Sequence, residues 1–183
     1  CYFQDHLSHR CQQQDPDWDP AAGTKLTSIN GEVIQGSILE HLLVQHLTVF
    51  FNVGEHNLIK LEGGDWNDGL DMAEERGESV AFSAMYAGDL RVLSELCESL
   101  IQSGIKEAPM AVELLPLLDQ ISGAVDYESV QAKQKHLQKY FDTVHGELSG
   151  EKITISLDEI ASDLKSKSDW LSSLIRGQEW VVD

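Results

Sequence analysis

Beyond Ser37, apolar residues recur at three- and four-residue steps through most of the chain, and one long glycine-rich segment interrupts them. This spacing makes helices that are apolar on one face, which are stable only when packed against neighbours. Ser37-Ile-Leu-Glu40 has capping-box spacing and is followed by apolar positions 38, 39, 42, 43, 47, 49 and 50, so a widely buried helix is expected over 37–51. From about Glu78, the residues Phe82, Met85, Tyr86, Leu90, Leu93, Leu96, Cys97 and Leu100 keep helical spacing until Gly104 supplies a stop. A third helix is expected over about Pro109 to Ile121, with Pro109 in its first turn and Pro116 a kink or break. A fourth covers about Tyr127 to Leu148, with Val130, Leu137, Tyr140, Phe141, Val144 and Leu148 on one face. Lys152 to Ile155 alternates briefly, as a short extended piece would. Ser156-Leu-Asp-Glu159 then repeats the capping-box spacing and opens a last helical region through Leu164, Leu171, Leu174 and Ile175, ending near Gly177. No convincing strand ladder is legible, and no short fixed repeat suggests a solenoid. The reading is an all-α chain, a helical bundle or a helical toroid, between which periodicity does not choose.

At 183 residues and 42% hydrophobic, the chain can bury one sizeable core, so one domain or part of one is expected. Acidic residues number 31 against 13 basic ones, and the formal charge of -18 repels phosphates and anionic headgroups, arguing against nucleic acid and membrane surfaces as partners. Cys1, Cys11 and Cys97 form neither a C-x-x-C pair nor a disulfide framework, which fits a reducing cytoplasm. The most apolar stretch, Ile38 to Phe51, is broken by Glu40, His41, Gln45 and His46. Residues 1–36 read as an irregular N-terminal segment, with turn formers gathered over Asp15 to Pro20. Both ends read as cuts through a longer polypeptide.

Residues 52–77 hold glycines at 54, 63, 64, 69 and 77 and no sustained period, a length that favours function over mere connection. Within them Glu62, Asp65, Asp68 and Asp71 bring four carboxylates together with Trp66 and Asn67. Such a set suits sugar: an indole can stack on a pyranose face, amides and carboxylates can bind hydroxyls, and a sheltered carboxylic acid can protonate a glycosidic oxygen. On composition alone, a set of turns on an acidic surface is the simpler reading, and function stays open.

Competing chemistries lack their supports. As a calcium loop, D-W-N-D-G would place Gly69 where an oxygen ligand belongs and Arg76 in place of the closing glutamate. Asp15, Asp17 and Asp19 alternate like calcium ligands, but Pro20 and Leu26 replace the loop's glycine and glutamate. His6 with His9, and His41 with His46, lack a third ligand, so no metal site is expected. No G-x-S-x-G, P-loop or G-x-G-x-x-G occurs.

Gly36 to Leu90 contains in order the helix, a G-x-H-N-L turn at Gly54 to Leu58, G-G-D-W-N-D-G at Gly63 to Gly69, and G-E-S-V at Gly77 to Val80. This run is similar to the catalytic-domain segment of glycoside hydrolase family 94, the cellobiose phosphorylase type. The resemblance is strongest over those residues and extends through helix order and the terminal I-R-x-x-E-W. It implies an internal piece of an (α/α)6 barrel, with 52–77 as active-site loop and 78–183 as successive helices. It implies Asp68 as general acid and Trp66 as a sugar contact near the scissile bond, with Asp65 and Asn67 shaping the loop or hydrogen-bonding substrate and Glu78 structural. The reaction implied is inverting, reversible phosphorolysis of a β-linked gluco-disaccharide or oligosaccharide to a sugar 1-phosphate. Inorganic phosphate is then co-substrate and no cofactor is needed; homo-oligomerisation of the intact parent is left open. The family's upstream donor-sugar residues and downstream phosphate site are not recognisable here. The alternatives are an inverting hydrolase relative without phosphate dependence, a carbohydrate-binding helical module, and a purely structural acidic domain.

Overall fold

The computed structural model describes residues 28–61, 77–145 and 148–178. Helices dominate: α1 (Ile38–Phe51), α2 (Val80–Gln102), the single turn α3 (Asp119–Ser122), α4 (Val130–Val144) and α5 (Leu157–Gln178), with a 3-10 turn over Val112–Leu117. Two short strands, β1 (Glu107–Ala111) and β2 (Lys152–Ser156), accompany them.

The helix boundaries follow local chemistry. At α1 the Ser37 hydroxyl accepts the Glu40 N–H at 3.1 Å and Glu40 accepts the Ser37 N–H at 2.6 Å, the reciprocal box that the sequence spacing predicts. Ser79 and Ser129 cap α2 and α4 by accepting the N–H of Phe82 and Ala132. Helix α2 ends in a Schellman arrangement, with Ile105 N–H on the Leu100 carbonyl, Gly104 N–H on that of Ile101, and Gly104 at φ +94.

Helices α2 and α5 form the principal pair. Ser94 donates its hydroxyl to the Ala161 carbonyl at 2.8 Å, and Ser168 donates to that of Ala87 at 2.7 Å. One step of seven residues forward on α2 thus meets one of seven backward on α5, so the helices run antiparallel. Leu43, Leu47, Phe50 and Phe51 of α1, Leu90 and Cys97 of α2, Leu137 and Tyr140 of α4, and Leu157, Ile160, Leu164 and Leu171 of α5 meet in one core. Burial lifts the Cys97 thiol to about 11, which makes it a packing group and not a nucleophile.

The helix expected over Pro109–Ile121 is absent. In its place stand β1, the 3-10 turn containing Pro116, and α3. β1 pairs antiparallel with β2, Glu107 opposite Ser156 and Ala111 opposite Lys152, so a ladder exists where none was expected. Ladder bonds at Leu157 to Lys106 and at Val112 to Glu151 fix the alternation, and Pro109 falls at a position facing away from β2. Its missing N–H therefore costs no ladder bond. The N–H of Ala111, pointing the same way, donates to Glu40 at 2.8 Å, and Lys152 meets the same Glu40 oxygen at 2.5 Å. Burial alone would raise the Glu40 pKa, but Lys152 and the N–H groups of Ser37 and Ala111 outweigh it and hold the carboxyl below its usual value. The α4 helix is shorter than the expected Tyr127–Leu148: Tyr127 lies in the preceding turn, and the Leu148 carbonyl accepts from Ile29.

A polar cluster sits inside the core. Lys167, Asp119 and Asp163 are fully buried, and Lys167 bonds Asp119 at 2.5 Å and also bonds Asp163. Asp119 further accepts from Tyr127 Oη at 2.9 Å and Val125 N–H at 3.1 Å, and Asp163 accepts from Gln120 N–H at 3.1 Å. Nearby, the fully buried Lys133 finds no hydrogen-bond partner among the described residues; its Nζ lies 3.7 Å from the Trp170 ring centroid and 4.5 Å from that of Phe50. Burial, only partly offset by Glu128 and Asp119, lowers the Lys133 pKa from 10.5 to about 7.

Because the unfolded chain keeps Lys133 protonated up to about 10.5, it binds the additional proton between pH 7 and 10.5, and the Lys133 contribution makes stability rise with pH across that window. Lys133→Met keeps the stem packing and removes the buried amine. It should stabilise the protein by about 1–4 kcal/mol at neutral pH, and the gain should shrink as pH approaches 10.5. Urea unfolding of both proteins at pH 7 and pH 10 measures it; a variant less stable than the parent at pH 7 would mean that the aromatic faces outweigh desolvation.

Candidate functional site

The acidic segment of the sequence lies between α1 and α2. Its central stretch 62–76, which carries Asp65, Trp66, Asn67 and Asp68 as well as Glu62 and Asp71, lies outside the described residues. The chain on both sides of that stretch is described, and its hydrogen bonds form a closed frame. Asn52 caps α1, Val53 bridges Ile59, and Gly54 N–H donates to the Leu58 carbonyl at 3.0 Å, closing a turn in which Asn57 takes φ +65. Asparagine tolerates that left-handed backbone better than most residues. Its Nδ2 donates to the Tyr127 carbonyl at 2.9 Å, tying the turn to the approach of α4, and Gln134 of α4 donates to the Val53 carbonyl at 3.0 Å.

Beyond the turn, Lys60 bridges Glu78, Leu61 N–H donates to the Gly77 carbonyl at 2.9 Å, and Ser79 N–H donates to that of Ile59 at 3.0 Å. Ser83 of α2 accepts the Ile59 N–H at 3.0 Å and donates to the Ser79 carbonyl at 2.8 Å. The two residues flanking 62–76 are therefore hydrogen-bonded to each other, and both are referred to the start of α2.

At the centre of the frame is Glu78, whose side chain is 8% exposed. One oxygen accepts the N–H of His56 at 3.0 Å and of Leu58 at 3.3 Å; the other accepts His56 Nδ1–H at 2.6 Å. A short turn thus wraps its donors around a carboxylate carried by the far side of the loop. Gly54 makes this possible: a Cβ there would stand 2.5 Å from Cγ, Cδ and Oε1 of Glu78. The structural role that the family resemblance gives Glu78 has this geometry as its content. Sequence reading treats His56 only as part of a turn, and its pairing with Glu78 becomes evident only in the folded chain. His41 is exposed, and His46 donates to its own helix at the Leu42 carbonyl, 2.7 Å. Among the described residues no group of three histidine, cysteine or carboxylate side chains could hold a metal ion, and no helix is long and apolar enough to cross a membrane.

Since Glu78 is pinned by its donors, a methyl group at Gly54 cannot be accommodated by a side-chain swing alone. Gly54→Ala should cost about 1–3 kcal/mol through overpacking. The shift of the urea midpoint measures this; an unchanged midpoint would show that the carboxylate is free to leave the turn.

Residues 24–111 match the family described as glycosyl hydrolase 94 superfamily, catalytic domain, a span that takes in α1, the whole frame with residues 62–76, α2 and β1. The chain is also 30% identical over 148 residues to solabiose phosphorylase from Paenibacillus borealis, an overlap covering 78% of this chain and 18% of that protein. The chain thus spans about a fifth of the length of the curated relative it matches. With a helical fold and this match in hand, residues 24–111 belong to the catalytic domain of the glycosyl hydrolase 94 superfamily.

Proposed function

We propose that the chain forms part of an inverting glycoside phosphorylase that cleaves a β-linked gluco-disaccharide or oligosaccharide with inorganic phosphate, releasing a sugar 1-phosphate. The observation that carries this reading is the family match across the acidic segment and its clamped frame, supported by a relative named as a phosphorylase. Asp68 is the general acid that protonates the departing sugar oxygen. Trp66 offers an apolar face to a pyranose ring, and Asp65 and Asn67 shape the segment or bind hydroxyls. Phosphate is already an anionic nucleophile and needs no second carboxylate to activate it. No cofactor takes part.

The full helical toroid would be an (α/α)6 barrel, of which this chain supplies several successive helices. At a formal charge of -18, with Lys152 and Lys167 engaged by carboxylates, the chain is a poor phosphate site by itself. Phosphate binding falls to sequence outside it. Cys97, buried and without a disulfide partner among the described residues, fits a cytoplasmic setting.

In the full-length protein carrying this chain, Asp68→Asn should lower phosphorolysis of a natural disaccharide by about two to four orders of magnitude, and cleavage of activated aryl glycosides by less. Near-normal turnover would remove Asp68 from the acid role, and product formation independent of phosphate would favour a hydrolase.

The 183-residue chain alone should fold as helices yet yield no glucose 1-phosphate from cellobiose and phosphate, since holding both reactants in attacking geometry needs binding sites beyond it. Steady enzyme-dependent production would show that the chain contains a complete site.

A further inference from the structure

We propose that the cavity between the start of α1 and the β1–β2 ladder is a binding site for a small organic cation, an ammonium on a short alkyl chain, with Glu113 as its anchor. This site is independent of the carbohydrate reading above and lies at the other end of α1 from the Glu78 frame: a helix of 14 residues keeps Ser37 about 20 Å from Asn52.

The cavity encloses about 230 Å³, room for a ligand smaller than a drug-sized molecule. Ile34, Ala111 and Leu148 give it apolar walls, and Gly36 borders it without a side chain. Its buried carboxylates are Glu40 and Glu113. Glu40 is fully engaged, by Lys152 and by the N–H groups of Ser37 and Ala111. Glu113 is not. The residue is 5% exposed, and Ser149 donates both its N–H, at 2.8 Å, and its hydroxyl, at 2.6 Å, to one oxygen, Oε1. Oε2 accepts from no group among the described residues. The described side-chain atoms that are both unpartnered and sealed from solvent are Asn57 Oδ1, Lys133 Nζ and Tyr140 Oη, so Oε2 is not walled in by packed protein and opens to the cavity that Glu113 lines. A carboxylate oxygen without a donor in so buried a position is costly, and a ligand that brings a donor removes the cost.

Charge sets the sign of that ligand. Lys152 is drawn onto Glu40, which leaves the carboxylates of Glu113 and Glu151 around the cavity without a cation of their own. An anion would be repelled there, and the Ser37 and Ala111 N–H groups that could have received it already donate to Glu40. An ammonium instead donates to Oε2 in a charge-assisted bond, and its alkyl stem covers Ile34 and Leu148. A metal ion fits less well, since among the described residues no three histidine, cysteine or carboxylate side chains converge.

Isothermal titration calorimetry of the full-length protein carrying this chain, with n-butylammonium at about pH 7 as probe, tests the site. One saturable site is expected, with n-butanol and butyrate each binding at least about tenfold more weakly. Glu113→Gln, which keeps an acceptor for Ser149, should weaken butylammonium binding about tenfold or more. Glu98→Gln removes an exposed carboxylate from α2 and should leave binding unchanged. Gly36→Val is the second variant: an added Cβ there meets only Glu40 Oε2, at 3.9 Å, so a side chain can crowd the ligand without disturbing the fold. Affinity should fall while the thermal midpoint stays that of the parent. Absence of saturable butylammonium binding, equal binding of butanol or butyrate, unchanged affinity in Glu113→Gln, or an equal loss in Glu98→Gln overturns the proposal. Should Glu113→Gln fail to fold, undiminished affinity in Gly36→Val overturns it instead.

Discussion

The buried ammonium of Lys167 is the contact on which the functional end of the structure depends. It pairs with both Asp119 and Asp163 where none of the three meets solvent. Removing one partner of such a cluster leaves an uncompensated buried charge, so the cluster stands or falls as a unit. Its reach is long. Asp119 holds the Tyr127 hydroxyl, the Tyr127 carbonyl holds Asn57, and Asn57 closes the turn that encloses Glu78. A charge inside α5 thus fixes, through three side chains, the geometry at the foot of the acidic segment.

Parts of this were legible in the sequence for clear reasons. The ends of α1 and α2 are set by residues close in sequence, Ser37 with Glu40 and Ser79 with Phe82, so capping spacing suffices to place them. The β1–β2 ladder was half legible: 152–155 alternates, whereas 107–111 contains Pro109 and joins a partner far along the chain. Reading Pro109 as a helix start is a sound local inference that the remote pairing overrides. Lys133 and Lys167 were not legible as buried residues because charge ordinarily marks a solvent face. A trace was there, since Lys133, Leu137, Tyr140 and Val144 share one stripe of α4 and all are buried.

The candidate site divides similarly. The acidic motif at 62–76 drew attention through composition and resemblance, and the family match covers it. Its supporting frame could not be read from composition, because Gly54, His56 and Glu78 acquire meaning only when the two sides of the loop meet. Local sequence thus marks where polar chemistry is concentrated, whereas the contacts that would orient it come from tertiary closure.

The placement of Pro109 has a further consequence. The outer edge of β1 would normally present N–H groups at 107, 109 and 111 to any passing strand, but Pro109 has none and that of Ala111 is taken by Glu40. Only Glu107 keeps an outward donor, and it carries a negative charge. An edge of this kind is a poor template for another chain. The β1 side of the ladder is thus guarded against edge-to-edge pairing by backbone chemistry as well as by charge.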